Sequence, residues 1–252
     1  MRSSGSSLQP LSWRSGLVSQ CALCRSWPAD PVCQPCVTRF NPTQRRCSQC
    51  AVLLPADLSG GSRTLPTVCL PCQRHPPPVT QTLAAVSYAY PWSVLVGRYK
   101  FGDHPGWAPF FTQLMLQNSH ITRCLADLQP ADWVLPLPLS PQRLQTRGFN
   151  QSWLLAQQLV HQSHTAARAD ARLLLRIRDT RPQSQLLRGE RLINVEGAFM
   201  VDPLRATQLA GRHVVLVDDV MTSGASVYTA ARALRDAGAA QVTALVLART
   251  EP

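Results

Sequence analysis

The sequence predicts an α/β fold, a parallel sheet with helices on both faces, preceded by a small cysteine-rich zinc-ribbon module. Two observations predict it. From residue 131 onward, strand-like and helix-like segments alternate, and the strand-like ones, such as V-V-L-V at 214–217, are apolar without polar alternation. That pattern marks strands covered on both faces by helices. Before residue 73, eight cysteines fall into four C-x2-C pairs, while the ninth, Cys124, stands alone. A chain of 252 residues is long enough for one or two domains with a substantial core.

The pairs are Cys21/Cys24, Cys33/Cys36, Cys47/Cys50 and Cys69/Cys72. A C-x2-C turn presents two thiolates to one tetrahedral metal, and two turns close a site with no position left for water. Four turns predict two structural zinc ions. Disulfides are disfavoured because residues 1–18 carry Arg2 and Arg14 and no apolar stretch of signal-peptide length. Thioredoxin-like redox pairs need a βαβ context that these proline-rich surroundings do not supply. Nearest-neighbour pairing gives Cys21, Cys24, Cys33 and Cys36 for one ion and Cys47, Cys50, Cys69 and Cys72 for the other; an interleaved arrangement stays open on spacing alone. The expected domains are a disordered N-terminus at 1–19, the double ribbon at 20–75, a linker P-P-P-V-T at 76–80 and the α/β domain at 81–252.

Within that domain the pattern predicts strands at Leu83–Tyr90, Trp133–Leu137, Leu173–Arg178, Ala198–Val201, Val214–Asp218 and Val242–Ala248. Helices are expected at Trp92–Phe101 and Trp107–Leu116, around a G-D-H-P-G break, then at Asn150–His161 and Ser223–Ala237, the last ended by Gly238. No apolar run approaches the ~18 residues of a membrane span. With no export signal either, the chain is expected in the cytoplasm. The net charge of +11 is spread as +6 over residues 1–80 and +5 over 81–252. Two zinc ions held by four thiolates each carry a formal 2−, so the balance is less basic than the side chains suggest. Arginine supplies 24 of the 25 cations, which singles out the one lysine, Lys100.

The strongest local signal is V-V-L-V-D-D-V-M-T-S-G-A-S, 214–226. A buried strand delivers Asp218 and Asp219 at its end, and a loop of small hydroxyl residues opens directly into a helix. The amides of Thr222, Ser223, Gly224, Ala225 and Ser226, with the positive end of the helix dipole, form a cradle for a phosphate monoester. The two carboxylates can accept hydrogen bonds from ribose hydroxyls. Together they point to ribose 5-phosphate. An ordinary βα unit capped by Asp and Ser is the bland alternative. A response-regulator receiver would need more chain than the 33 residues after Asp219.

This segment resembles the phosphoribosyl pyrophosphate (PRPP) motif of type I phosphoribosyltransferases. D-W-V-L-P-L-P-L at 132–139, R-L-Q-T-R-G-F-N-Q at 143–151 and T-R-P-Q-S-Q-L-L-R-G-E-R-L-I-N-V-E-G-A-F at 180–199 narrow the likeness. With the cysteine pairs and the Lys100-Phe101 step, the chain is similar to the ComF/GntX family, competence-associated phosphoribosyltransferase-like proteins. The resemblance covers roughly residues 20–250. It implies a type I phosphoribosyltransferase-like sheet that binds PRPP or another phosphoribosyl ligand with Mg²⁺, and links the chain to DNA uptake, with single-stranded DNA or DNA-uptake proteins as partners.

By position, the resemblance implies that Asp218 and Asp219 hold the ribose, partly through Mg²⁺, and that residues 222–226 hold the 5-phosphate. Pro136, Leu137 and Pro138 would approach the pyrophosphate, with Arg143, Arg147 and Lys100 as cations for it and Gly148 permitting close approach. Asn150 and Gln151 cap the helix or reach substrate. Arg181, Gln185, Arg188 and Arg191 fall where this fold carries a lid. Met221 and Thr222 stand where 6-oxopurine enzymes place a loop carboxylate, and the lid segment lacks the lysine of orotate enzymes, so neither acceptor is supported. Two readings remain: a transferase on an unspecified acceptor, and a non-catalytic PRPP or nucleotide sensor, or single-stranded DNA-binding accessory, in transformation.

Overall fold

A computed structural model describes residues 20–27, 30–55, 67–101, 104–178 and 197–251. The expected N-terminal tail and lid residues Arg181, Gln185, Arg188 and Arg191 lie outside them. The chain divides into two compact units between Pro42 and Thr43. The first holds the Cys21–Cys36 set and helix α1 (Gln34–Phe40), which starts where extended Cys33 meets Pro35 in the first turn.

The second unit repeats that device, with Cys69 and Pro71 opening α2 (Leu70–Arg74). It continues with β1 (Gln81–Ser87), α3 (Trp92–Phe101), α4 (Ala108–Leu116), α5 (Ser119–Ala126), β2 (Trp133–Pro136), α6 (Pro141–Arg147) and α7 (Gln151–Ser163). Strands β3 (Arg168–Ala169), β4 (Leu174–Arg176), β5 (Phe199–Val201) and β6 (His213–Met221) follow, then α8 (Ala225–Asp236) and β7 (Gln241–Arg249). The second four-cysteine set therefore sits in the same compact unit as the sheet.

The main sheet has the order β1-β7-β6-β2-β3 and every pairing is parallel. Val227, Ala230, Ala231 and Leu234 recur at helical spacing on α8 and pack on Leu135, Val214, Leu216, Val242 and Ala244. Helices α4 and α7 pack against β1, β2 and β6, and bring Phe111, Leu114, Leu155 and Leu159 into the core. Parallel strands with connecting helices place all strand C-termini at one edge, where ligands of α/β proteins bind.

Three features depart from the expected elements. The segments at 173–178 and 198–201 form an antiparallel pair, β4 with β5, outside the parallel sheet. The Asp170 carboxylate causes this turn by accepting the amides of Arg172 and Leu173 at 2.6 and 2.8 Å, which leads the chain away from β3. Strand β6 runs to Met221 rather than ending at Asp218, because Asp218, Val220 and Met221 still pair with Val246, Ala248 and Arg249. Helices α5 and α6 were not anticipated; Asn118 and Ser140 cap them by accepting the amides of His120 at 2.9 Å and Arg143 at 3.4 Å.

Candidate functional site

At the C-terminal edge of the sheet, β6 passes through Thr222 and Ser223 into α8. Gly224 is the residue before the first helical turn and has φ +82°. A Cβ there would lie 2.5 Å from Tyr228 and 2.6 Å from Met221, so both conformation and space require glycine. Gly224 brings no side chain to cap α8, and the Ser223 hydroxyl accepts the Ala225 amide at 3.4 Å. A concave surface forms between Asp218, Met221, Thr222, Gly224, Ala225 and Ser226. Backbone donors at a helix N-terminus favour an anion there. A larger cavity of ≈ 450 Å³ lies at the opposite ends of β1, β6 and β7, but Asp127 and Asp132 line it.

The two carboxylates have different surroundings. Asp219 is 6% exposed and pairs with Lys100, whose Nζ lies 2.9 Å from Oδ1. Asp218 accepts the Ser152 hydroxyl at 3.1 Å and the Asp219 amide at 2.9 Å. Burial, followed by the charge of Asp219, pushes its carboxyl up to about 7, against the lowering influences of Lys100 and these two bonds. A carboxylate raised in this way gains from a further cation or from hydroxyl donors, which fits a divalent ion and a ribose diol.

Several expected site residues are tied to one another around β2, α6 and α7. The Leu137 amide donates to the Val217 carbonyl at 2.8 Å, which places the turn Pro136-Leu137-Pro138 beside β6. Asn150 donates to the Leu137 carbonyl at 3.2 Å and accepts the amides of Ser152 and Trp153, so it caps α7 and ties the turn to it. Gln151, 1% exposed, accepts from Arg147 at 3.1 Å and donates to the Lys100 carbonyl at 3.4 Å. Its own carbonyl accepts the Tyr99 hydroxyl at 2.9 Å, and burial pushes the Tyr99 phenol well above its ordinary value. Arg147 stacks 5.0 Å over the ring of Phe101. Arg143, four residues earlier on α6, shares its half-buried helix face.

Gly148 has a conformational reason of its own. It ends α6 at φ +75°, where a Cβ would meet no protein atom within 4 Å. The left-handed backbone favours glycine here. Residues that sequence reasoning missed are Ser152, Tyr99 and Arg249. Ser152 directly follows the quoted R-G-F-N-Q segment, so a capping analysis of α7 would have reached it; nothing local marks the other two.

The cysteines form two separate sets, Cys21, Cys24, Cys33, Cys36 and Cys47, Cys50, Cys69, Cys72, with all four sulfurs of each set within 4.8 Å of one another. The grouping is sequential, not interleaved. The Cys24–Cys33 and Cys50–Cys69 sulfurs lie 3.5 and 3.6 Å apart, close to the roughly 3.8 Å edge of a tetrahedron with 2.3 Å metal–sulfur bonds. Backbone amides of Cys33 and Cys69 each point at a ligand sulfur at 3.3 Å. Either set could hold a structural metal ion. Among the described residues, no helix is long and apolar enough to cross a membrane.

Comparison with known proteins agrees with this geometry. A family model described as phosphoribosyl transferase domain matches residues 157–251. A DNA utilization protein YhgH of Salmonella typhi is 34% identical over 219 residues, covering 87% of this chain and 90% of that protein. Competence protein F of Haemophilus influenzae is 26% identical over 72% of this chain and 78% of its own length. Competence protein ComFC of Bacillus subtilis is 36% identical over 46% of this chain and 44% of its own length.

Proposed function

Because the chain belongs to the ComF family of phosphoribosyltransferase-like proteins, we propose that it binds PRPP or a related phosphoribosyl ligand with Mg²⁺, and transfers phosphoribose to an acceptor in support of DNA uptake. The observation that carries this reading is that one strand, β6, delivers two chemically distinct carboxylates, Asp218 and Asp219, just before a helix N-terminus that opens at Gly224. One end takes a phosphate monoester and the other takes a diol.

In this reading the amides at 222–226 hold the 5-phosphate, and the carboxylates accept from the ribose hydroxyls. Lys100 holds Asp219 in place in the free protein and becomes available to the pyrophosphate once ribose and Mg²⁺ engage the acids. Arg147, oriented by Gln151 and Phe101, and Arg143 offer charge-assisted hydrogen bonds to the leaving group. Mg²⁺, held through Asp218 and Asp219 and the ligand, supplies charge neutralisation for the departing pyrophosphate. In transfer, the bond from ribose C1 to pyrophosphate breaks, pyrophosphate leaves with the electron pair, and a bond from C1 to the acceptor forms with loss of the acceptor's proton. The cradle and cations stabilise that charge separation best when water is excluded.

One observation favours a non-catalytic reading: Met221 and Thr222 offer no carboxylate in the loop to receive the acceptor's proton. The same pocket would then sense PRPP or a nucleotide, or serve a protein that binds single-stranded DNA. Pyrophosphate release from PRPP over a panel of bases separates the two. Release supports transfer; saturable binding without release supports the sensor; absence of any PRPP binding removes both transfer from PRPP and PRPP sensing.

A further inference from the structure

Arg249 is the last residue of β7 and is 7% exposed, yet among the described residues no carboxylate pairs with it. Its guanidinium is spent on backbone carbonyls. Nε donates to the Cys50 carbonyl at 2.7 Å. Nη1 reaches the carbonyl of Met221 at 3.1 Å and those of Thr222 and Thr250 at shorter range. One side chain thus joins a cysteine of the second four-cysteine set to the two residues that open the phosphate loop.

The peptide geometry makes this contact directional. In a trans peptide the N–H points opposite to the preceding C=O. With the carbonyls of Met221 and Thr222 turned toward Arg249, the amides of Thr222 and Ser223 are turned away from it. Those two amides begin the anion cradle. The Cys47–Cys50 turn fixes the other end: the Cys47 amide donates to the Val52 carbonyl and the Ala51 amide to the Cys47 carbonyl, both at 2.8 Å. Ala51, at φ +57° and fully buried, packs against Met221 with Ala84, Val246 and Tyr228. Tyr228 in turn occupies the space that a side chain at position 224 would need. A metal ion held by Cys47, Cys50, Cys69 and Cys72 would brace the Cys47–Cys50 turn, and with it the Cys50 carbonyl. Four thiolates with a divalent ion would bring a formal 2− beside a buried guanidinium that, among the described residues, pairs with no carboxylate.

We propose that Arg249 is a positioning residue that couples the second four-cysteine site to the phosphate loop, so that loading of that site with metal orders the cradle residues 221–226. The metal site is then a support for ligand binding as well as for its own ribbon. The order of the loop is a property of the chain alone; only its effect on affinity rests on the phosphoribosyl ligand proposed above.

The test uses the full-length zinc-loaded protein, with hydrogen exchange of amides 222–226, zinc content and PRPP titration read on the same samples. Arg249→Gln should retain both zinc ions while loop exchange rises about tenfold or more, and Arg249→Lys, which keeps the charge and reaches fewer carbonyls, should fall between. Cys72→Ser in the second set should loosen the loop similarly, whereas Cys24→Ser in the first should leave it unchanged. A loop that exchanges as in wild type in both Arg249→Gln and Cys72→Ser would overturn the proposal, as would equal loosening by Cys24→Ser. Should Arg249→Gln fail to fold, stepwise chelation of wild type replaces it. Faster loop exchange on loss of the second ion, with β6 residues 214–217 still protected, supports the coupling; an unchanged loop overturns it. Wild type that shows loop ordering but no PRPP binding would retain the coupling and remove the phosphoribosyl reading.

Discussion

Lys100 and Asp219 form an ion pair of 2.9 Å in which both side chains are largely shielded, 17% and 8% exposed. The pair joins the end of α3 to the end of β6 across 119 positions of sequence. Its members are the one lysine among 25 cations and one of the two acids of the phosphoribosyl motif. A shielded carboxylate paired with a cation is a stability element in the free protein, and in the proposed function it is the contact that ligand would exchange.

Removing the lysine should therefore be costly before any ligand is considered. Lys100→Met strands the Asp219 carboxylate and is expected to cost about 3 kcal/mol in denaturant unfolding, since breaking a shielded pair leaves an uncompensated charge. Adding Asp219→Asn to that variant should restore much of the loss. Lys100→Arg should fold yet bind PRPP about tenfold more weakly, near 1.4 kcal/mol, because a planar fork does not reproduce a compact ammonium. Equal PRPP affinity for Lys100→Arg and wild type would make the lysine incidental.

Two glycines with positive φ should respond differently to alanine. At Gly148 nothing obstructs a Cβ, so the change should cost only the left-handed backbone penalty of about 1–2 kcal/mol. At Gly224 the same penalty is joined by overlap with Tyr228 and Met221. Gly224→Ala should lose more stability than Gly148→Ala in thermal unfolding and should also lose phosphoribosyl binding; the reverse order would contradict the cradle geometry.

The pH response follows from Asp218, whose carboxyl is raised from 3.8 to about 7 by burial and by Asp219. The folded state holds that proton more tightly than the unfolded chain. This contribution to stability is fully present below the unfolded value and is lost as pH rises through about 7. Relative to Asp218→Asn, wild type should therefore become less stable as pH rises from about 4 to about 7. In the proposed site Mg²⁺ and ribose would engage the ionised form, so PRPP affinity should weaken as pH falls below about 7, by up to tenfold per unit. Parallel stability curves for the two proteins would refute the assignment.

Each purified chain should contain two zinc ions. Serine substitution within either set should release one ion and unfold the adjoining ribbon, because metal binding supplies its folding free energy. Elemental analysis near one ion per chain, or mass spectrometry showing disulfides, would contradict it.

Much of this architecture was legible because it rests on periodicity and spacing. Helix α3 matches its expected bounds, and V-V-L-V-D-D followed by T-S-G located the loop from local chemistry alone. Helix α6, P-Q-R-L-Q-T-R, escaped because it carries no apolar stripe; Ser140 before Pro141 was its only signal. Helix α5 had Ile121, Cys124 and Leu125 at helical spacing, but in just eight residues. The β4–β5 pair was read with the sheet because a short apolar run looks alike in either setting. Arg249 was out of reach: a basic residue ending an apolar strand gives no sign that it turns inward to carbonyls of two distant turns.

In the proposed function Asp218, Asp219 and the loop behind Gly224 form one phosphoribosyl site. Calorimetric titration with PRPP, with and without Mg²⁺, tests it most directly on wild type and on the Asp218→Asn/Asp219→Asn double variant. The account predicts saturable, Mg²⁺-dependent binding with one site per chain, weakened in the folded double variant by about 1.5–3 kcal/mol for each charged hydrogen bond lost. No binding to wild type, or the same affinity in the double variant, would contradict it.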